Sequence, residues 1–386
     1  MNAPVLPTET RTDGPRRSSG LDAVRTLLVA WIIGGHAVLG YSAVGGWAWD
    51  EVQETTLHPK VELALAAVIG PSALFLMGTF FLIAGLFTPA SAARKGSRRF
   101  ATDRLLRLGL PFIVFALAVW PICMWVAYRS AGERVGYAFL LTGRDRFVDS
   151  GGLWFVEVLL IFTLGYLAWH RWGPAPTSLP RPLSLAATTR WALTIAVTTF
   201  VVRLVFSARG HQVLDLHVWQ WPQLAGMFAI GVAGARQGLA EHVPEPLGRA
   251  SGWITLACLV TGPAVALLLG VDDLDADAGP FLGGWHLESA LLALYEGMLV
   301  VFGSLFLLRF AQRHLDGTGP IWRRLQRSSF AAFILQGPVL IGLAVAFRPL
   351  PLIAEVKAAT LLVTGLVASF ALGWLLVSRT RIGKIV

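Results

Sequence analysis

Charged residues are scarce in this sequence. Asp, Glu, Lys and Arg make up 14% of its 386 residues, against roughly a quarter in a soluble domain. Cysteine is also rare, since Cys123 and Cys258 are the only two and both fall inside apolar stretches. Their positions argue against a disulfide framework and a zinc site, so we expect no bound metal. The sequence also lacks a Gly-rich phosphate loop and a Ser nucleophile elbow, so any bound phosphate must be held by side chains.

Long hydrophobic runs dominate the chain instead. Apolar residues make up 55% of it and cluster in runs of about 17 to 25, the length that crosses the hydrocarbon core of a bilayer. We therefore predict an all-α fold, a polytopic integral membrane helix bundle of about ten transmembrane helices. The predicted spans are 21–43, 62–88, 108–128, 152–170, 191–206, 218–235, 251–270, 286–308, 329–347 and 358–378.

The basic residues, which give a net charge of +9, lie mostly in short clusters between the apolar runs. This pattern is typical of cytoplasmic loops facing anionic lipid rather than of a nucleic-acid-binding surface. Lys and Arg concentrate in the loops on the side of the membrane that carries the N-terminus. Both termini are therefore predicted to be cytoplasmic. The run from Leu21 is too long for a signal-peptide core. We predict a disordered tail at 1–20, a membrane domain at 21–378 and a short tail at 379–386.

The first predicted helix carries the strongest candidate for chemistry. Ten residues separate Arg25 from His36, and eleven steps of about 100° bring both side chains to one face, about 16 Å apart along the axis. Arg25 is expected near the cytoplasmic interface and His36 near mid-membrane, where an ionisable group is a functional candidate. A neutral imidazole there can accept a proton from a hydroxyl. Gly34 and Gly35 would give a substrate or helix close access; the alternative is a His that only packs.

Two arginines form a second candidate site, at the cytoplasmic border of the third span. Arg104 and Arg107 are three residues apart, which predicts that they share a helix face. Two guanidinium groups in that position suit a phosphate or diphosphate. The alternative is an ordinary basic flank of a membrane helix.

Polar residues inside the later spans are further candidates. Trp154 opens the fourth span, where an interfacial anchor is the alternative role, and Glu157 lies one turn deeper on the same face. Glu296 is predicted near mid-depth of the eighth span, where it needs a partner and has either a structural or a catalytic role. Arg203 is predicted to snorkel to the outer interface.

Four segments, in this order, resemble motifs of the bacterial acyltransferase family 3. Members of that family are multi-pass membrane O-acyltransferases that modify surface polysaccharides, glycolipids and secondary metabolites. The matching segments are Arg25 with His36 after ten residues, Phe80–Gly85 (FFLIAG), Arg104 and Arg107 before Pro111, and Leu153-Trp154-Phe155. All four fall within 21–157, and the predicted helix count agrees with the family beyond that point.

The resemblance implies a transferase for groups other than aminoacyl groups. Its reaction would move an acetyl or other short acyl group from acyl-CoA to a hydroxyl of a carbohydrate, glycolipid or related acceptor, as in O-acetylation and polysaccharide modification. The implied location is the bacterial inner membrane. Acyl-CoA, the acceptor and the lipid bilayer are the expected partners, nucleic acid is not expected, and no cofactor is expected to be permanently bound.

The resemblance also implies roles for the candidate residues. The catalytic set is His36, Arg25 and Glu157, in which His36 would deprotonate the acceptor hydroxyl or briefly accept the acyl group itself. Arg104 and Arg107 would hold the CoA phosphates at the cytoplasmic face, while Arg25 guides the thioester arm inward. Trp154 completes the set assigned to donor binding.

Two positions depart from the family pattern. Gln336 stands within Phe333–Pro338, where the late family motif usually has His, and Thr26 follows Arg25 where Gly is common. The first departure argues against a second histidine acting at this position.

Two other classes of function fit the same residues. A transporter or flippase for a lipid-linked sugar or small metabolite would use Glu157, Glu296 and His36 as a proton or substrate path. Inverted repeats would favour that reading, and the sequence contains none that we can recognise. A binding or sensing membrane protein without turnover would not require a His aligned with an Arg.

Overall fold

The computed structural model describes residues 19–144, 146–173, 183–208, 210, 212–271, 278–315 and 319–380. In this part of the chain, nine helical spans are long and apolar enough to cross a membrane, which confirms the predicted polytopic helical bundle. The predicted sixth span, 218–235, forms a shorter helix of 15 residues, Trp221–Ala235. Most of the predicted tails, 1–20 and 379–386, lies outside the described residues, and the orientation of the termini stays a prediction.

Thirteen α-helices make up most of the described chain. In order they are α1 Ser19–Leu39, α2 Pro59–Lys95, α3 Ser97–Arg104, α4 Leu110–Val114, α5 Trp120–Ser130, α6 Trp154–Trp172, α7 Leu185–Arg203, α8 Trp221–Ala235, α9 Glu245–Leu268, α10 Gly279–Leu282, α11 Leu287–His314, α12 Pro320–Phe347 and α13 Ala354–Arg379. Two short parallel strands, β1 Arg146–Phe147 and β2 Gln212–Val213, pair with each other.

The third span is a composite of α3, α4 and α5 joined by two π-helical turns, Leu105–Gly109 and Phe115–Val119. Each turn is followed by a proline near the start of the next helix, Pro111 in α4 and Pro121 in α5. Proline has no N–H to donate to the carbonyl four residues earlier, and a π turn is one way for a helix to accommodate that loss.

Close backbone contacts at glycines join several of the helices. Gly85 of α2 lies against Gly231 of α8, so that a side chain added at either position would meet the other helix's backbone within 2.3 Å. Such close approach is how membrane helices gain van der Waals contact, because burial of apolar surface gives little advantage inside lipid. The central helix is α11, in which 61% of the residues in the apolar membrane-spanning stretch are buried. Helix α9 lies at the periphery, with 11% of the corresponding residues buried.

A buried ion pair connects α7 and α11. Nη2 of Arg203 lies 3.0 Å and 2.8 Å from the two carboxylate oxygens of Glu296, and the amide of Gln223 on α8 donates to the same carboxylate at 2.8 Å. Arg203 is 1% exposed, so the prediction that it snorkels to the outer interface is wrong. The ion pair with Glu296 stabilises the guanidinium more than contact with water at the interface would. Glu296 has the structural partner that its predicted depth required.

Candidate active site

His36 lies in the last turn of α1, which runs unbroken from Ser19 to Leu39. Because the helix is continuous, Arg25 and His36 share one face at a separation of about 16 Å along the axis. The predicted span, 21–43, extended four residues further than the observed helix. The mid-membrane depth expected for His36 therefore does not follow from the structure, which has His36 close to one end of α1.

The imidazole of His36 is held on two sides. Its Nδ1 is 3.1 Å from Oε1 of Gln336 on α12, and its ring stacks on Trp47 with a centroid distance of 4.1 Å and an angle of 14°. With the amide oxygen of Gln336 facing the ring, Nδ1 is the donor of this hydrogen bond, and in that tautomer the lone pair of the ring is on Nε2. This tautomer can take a proton through Nε2.

The backbone of Gly152 closes a third side of this group. Gly152 belongs to the 3₁₀ turn that precedes α6, and a Cβ at this position would lie 3.1 Å from Nε2 of Gln336 and 3.5 Å from Cε1 of His36. A larger residue would crowd both side chains. The glycine therefore lets the start of α6 approach the histidine directly.

Trp47 belongs to the loop between α1 and α2, and ion pairs fix that loop to the rest of the bundle. Glu51 of the loop pairs with Arg144, whose Nη2 also lies 2.8 Å from Oδ2 of Asp149. Burial lowers the pKa of Arg144, but the hydrogen bond with Glu51 and the charge of Asp149 outweigh burial and raise that pKa above its ordinary value. The guanidinium stays charged and holds this side of the loop.

The other side of the loop is tied to the α12–α13 region. Nζ of Lys357 lies 2.6 Å from Oε1 of Glu54, and Nη1 of Arg348 donates to the backbone oxygen of Val52 at 2.7 Å. The loop segment that follows Trp47 is thus anchored to two different parts of the bundle through 51–54. The position of the tryptophan beside His36 is set by these contacts.

A cavity of about 1070 Å³ opens beside His36. Trp154 at the start of α6, Ser42 and Glu62 line it together with His36, and most of its other lining residues are apolar side chains of α1, α2, α9 and α11. Its volume is slightly above the range of roughly 300–1,000 Å³ that is typical of small-molecule sites. A substrate bound in the part of the cavity that His36 lines would contact the imidazole.

Arg25, Arg104 and Arg107 are brought together towards the other end of α1, where the charge of Arg104 interacts with the charges of both other arginines. The guanidinium of Arg104 lies over the ring of Phe100 at 5.0 Å, and its Nε is buried without a hydrogen-bond partner among the described residues. A buried N–H without an acceptor costs free energy, and an anionic ligand would remove that cost.

Arg107 differs from Arg104 in its partner. Its Nε is 3.1 Å from Oδ1 of Asp103, whose other oxygen is 2.6 Å from Nζ of Lys95. Arg104 ends α3 and Arg107 lies in the π turn that follows. The α-helical spacing from which a shared face was predicted therefore does not apply, and the two arginines have different surroundings.

The comparisons with known proteins identify the family of the chain. The model of the acyltransferase domain family, acyltransferase family 3, matches residues 18–378, nearly the whole chain. The chain belongs to this family. No curated protein and no solved structure matches it. The resemblance that was recognised from motifs within 21–157 is confirmed, and the protein is a membrane acyltransferase.

Trp154 of the acyltransferase, at the cavity wall, stacks on His217 with a distance of 4.3 Å between the ring centroids. Nδ1 of His217 lies 2.7 Å from the backbone oxygen of Asp215, whose carboxylate accepts a hydrogen bond from the hydroxyl of Ser150 at 2.8 Å. Leu214, Asp215 and His217 all have φ between 47° and 57°. Non-glycine residues in this region carry strain, which is often found at functional sites.

Glu157 of the acyltransferase is not among the residues that line the cavity beside His36. It lies in α6, one turn after Trp154, and its Oε2 is buried without a hydrogen-bond partner among the described residues. The structure thus gives Trp154 a place at the cavity and gives Glu157 none there. A catalytic role for Glu157 stays a prediction.

Three residues around the site were not identified as candidates from the sequence. Trp47 lies in a loop, and Gln336 is 300 residues from His36 and was noted only as a departure from the family pattern. His217 immediately precedes the short span predicted at 218–235, and no spacing connects it with Trp154. The only signal in the sequence was the position of Gln336 within the late motif.

Proposed function

We propose that this membrane acyltransferase transfers an acetyl or other short acyl group from acyl-CoA to a hydroxyl of a carbohydrate, glycolipid or related acceptor, with His36 as the catalytic base. The observation that carries the proposal is the hydrogen bond between Nδ1 of His36 and Oε1 of Gln336, at 3.1 Å. It leaves Nε2 as the proton acceptor of a ring that lines a large cavity.

The arginine cluster supports acyl-CoA as the donor. CoA carries phosphate and diphosphate groups, which guanidinium groups bind well. Arg104 has a buried N–H that is unpaired in the part of the chain that the structure describes, and Arg25 shares both the cluster and the helix face of His36. The separation of about 16 Å between Arg25 and His36 suits an extended arm between the phosphates and the thioester. Trp154 lines the cavity with His36, so it would contact the acyl end of the donor rather than its phosphates.

The proposed reaction needs one proton carrier. Nε2 of His36 takes the proton of the acceptor hydroxyl while the acceptor oxygen attacks the thioester carbonyl carbon. The C–S bond then breaks, the acyl group becomes an ester of the acceptor, and the departing thiolate takes the proton back from His36. A relay in which Nε2 first accepts the acyl group and then passes it to the hydroxyl uses the same ring, and both routes stay open.

The alternative, a transporter or flippase, has lost one of its three candidate residues. Glu296 is paired with Arg203 and hydrogen-bonded by Gln223, so this carboxylate is poorly suited to take up and release protons.

The proposed location is the bacterial inner membrane, and the proposed role is modification of a surface polysaccharide or glycolipid.

Radiolabelled acetyl-CoA tests the proposal. Purified protein in lipid nanodiscs, incubated with a membrane extract as the source of acceptors, should release free CoA thiol and move the label into an alkali-labile ester. Acetyl-dephospho-CoA, which lacks the 3′-phosphate, should bind more weakly if side chains hold that phosphate. Label that stays entirely on CoA, together with movement of a lipid-linked sugar across the bilayer, would contradict the proposal and favour transport.

A further inference from the structure

We propose that the cavity beside His36 binds the hydrocarbon chain of a lipid acceptor. The hydroxyl that receives the acyl group would then belong to the head group of a membrane lipid rather than to a free sugar. The inference rests on the proposed function for the chemistry at His36. The assignment of the cavity as the binding site of the hydrocarbon chain rests on the cavity alone.

The lining of the cavity is suited to a hydrocarbon chain. Its charged lining residues are Lys60 and Glu62 at the start of α2. The carboxylate of Glu62 already accepts hydrogen bonds from the hydroxyl of Ser42 and from the backbone N–H of Val44. Further along α2, the lining residues between 63 and 77 are all apolar. A polar substrate beside this stretch of α2 would find no side chain there to hydrogen-bond with, which costs free energy.

The cavity lies in the half of the bundle that is remote from the arginine cluster. It is lined by 31–39 of α1 and by 60–77 of α2, whereas Arg25 lies in the first third of α1 and Lys95 ends α2. It is also lined by 258–268 of α9 and by 291–298 of α11. The arginines and the cavity therefore lie in opposite halves of the bundle, and His36 lines the cavity from the last turn of α1.

The cavity is partly open, and several of its lining residues also lie on the outer surface of the bundle. Helices α2 and α9 face each other across it and touch at few positions. Val265 and Leu267 of α9 and Leu294 of α11 line the cavity and are 41% to 58% exposed. In a membrane such an opening faces lipid, so a lipid can enter sideways without leaving the bilayer. Acyl-CoA is water-soluble and has no need of a lateral entrance, which favours the acceptor as the occupant.

Photolabelling tests the occupant without requiring turnover. The probe is a long-chain alkyl glucoside with a diazirine in its alkyl chain, added to the full-length protein in phosphatidylcholine nanodiscs, and labelled peptides are mapped by mass spectrometry. We expect labels on 63–77 of α2 and on 258–268 of α9, reduced by an excess of unlabelled alkyl glucoside. A diazirine-bearing lauroyl-CoA serves as the second probe.

Two substitutions narrow the cavity from opposite walls. Ala67→Trp in α2 and Ala266→Trp in α9 should each reduce labelling of the wall peptides by about tenfold, because an over-filled site costs one to several kcal/mol. The matched control is Ala371→Trp, an exposed alanine of α13 that does not line the cavity, and it should leave labelling unchanged. Retained acyl-CoA binding shows that each variant is folded.

The outcomes separate the two proposals. Labelling of the walls by lauroyl-CoA but not by the glucoside would assign the cavity to the donor's acyl chain and overturn the inference. Labelling that is equal in Ala67→Trp, Ala266→Trp and wild type would show unspecific lipid contact and overturn it as well. If the walls are labelled while acetyl transfer is absent, the proposed function fails and the chain-binding site stands. If transfer depends on His36 while the walls stay unlabelled, the proposed function stands and the chain-binding site fails.

Discussion

At the scale of single residues, the chemistry depends on how the ring of His36 is held. The shared face of Arg25 and His36 could be predicted from helical periodicity, because both residues lie on one continuous helix. Gln336 and Trp47 could not, because a contact across 300 residues or with a loop leaves no local period in the sequence. The tautomer of His36 is therefore a property of the folded chain rather than of the motif.

Replacement of Gln336 by Leu tests that tautomer. The variant keeps the bulk of the side chain but removes the acceptor for Nδ1, so we expect kcat to fall by about tenfold or more, the value of one hydrogen bond. The KM for acyl-CoA should not change, because the donor's phosphates are held elsewhere. Gln336→His, which restores a hydrogen-bonding side chain, should recover part of the rate. A rise in KM at unchanged kcat would mean that Gln336 contributes to binding only.

The two arginines of the donor site should not contribute equally. Arg104 has a buried Nε without a partner among the described residues, whereas Arg107 is paired with Asp103. Arg104→Ala should therefore weaken acyl-CoA binding by about tenfold, from one charge-assisted hydrogen bond, and Arg107→Ala by less. Isothermal titration with a non-hydrolysable acyl-CoA analogue measures both. Equal and small effects would show that the two arginines are an ordinary basic flank of a membrane helix rather than a donor site.

At the scale of helices, the hydrophobic runs predicted where most spans lie, because lipid selects length and apolarity directly. They could not predict the π turns around Pro111 and Pro121 or the pairing of Arg203 with Glu296, since both depend on local geometry and on packing between helices. The sixth span was predicted at 218–235, and α8 occupies only 15 of those residues.

The buried pair gives a prediction about stability. Glu296→Leu leaves the charge of Arg203 buried without its partner, which should lower the free energy of unfolding by about 3–5 kcal/mol. The double variant Arg203→Met/Glu296→Leu should recover most of that loss and keep acyl transfer. Thermal unfolding in detergent and the acetyl-transfer assay measure the two effects. A stable, correctly folded double variant without transfer would give Glu296 a functional role and revive the transport alternative.

At the scale of the whole molecule, the bundle is asymmetric along its helices. Arginines gather at one end, and the apolar cavity occupies the other half, with His36 at its edge. The loop charges predicted which end faces the cytoplasm. The sequence could not predict the cavity, because it arises from the spacing of α2 and α9 rather than from any one segment.

Cysteine labelling tests that orientation. In a background with Cys123→Ala and Cys258→Ala, a single cysteine introduced by Trp285→Cys should react with an impermeant maleimide from outside intact cells. One introduced by Ser97→Cys, at the start of the helix that Arg104 ends, should react only after permeabilisation. Both positions are exposed, so differences in access report the side of the membrane. The reverse pattern would move the donor site to the outside, where acyl-CoA is absent.

The most direct test of the central claim is the rate of acetyl transfer by His36→Gln. Glutamine keeps hydrogen-bonding capacity but cannot take up a proton, so we predict normal insertion, normal acyl-CoA binding and a rate lower by about a hundred- to ten-thousandfold. Excess acceptor should not restore the rate, because the lost interaction belongs to the transition state. His170→Gln, an exposed histidine of α6, is the matched control and should be fully active. Near-normal turnover of His36→Gln would contradict the account.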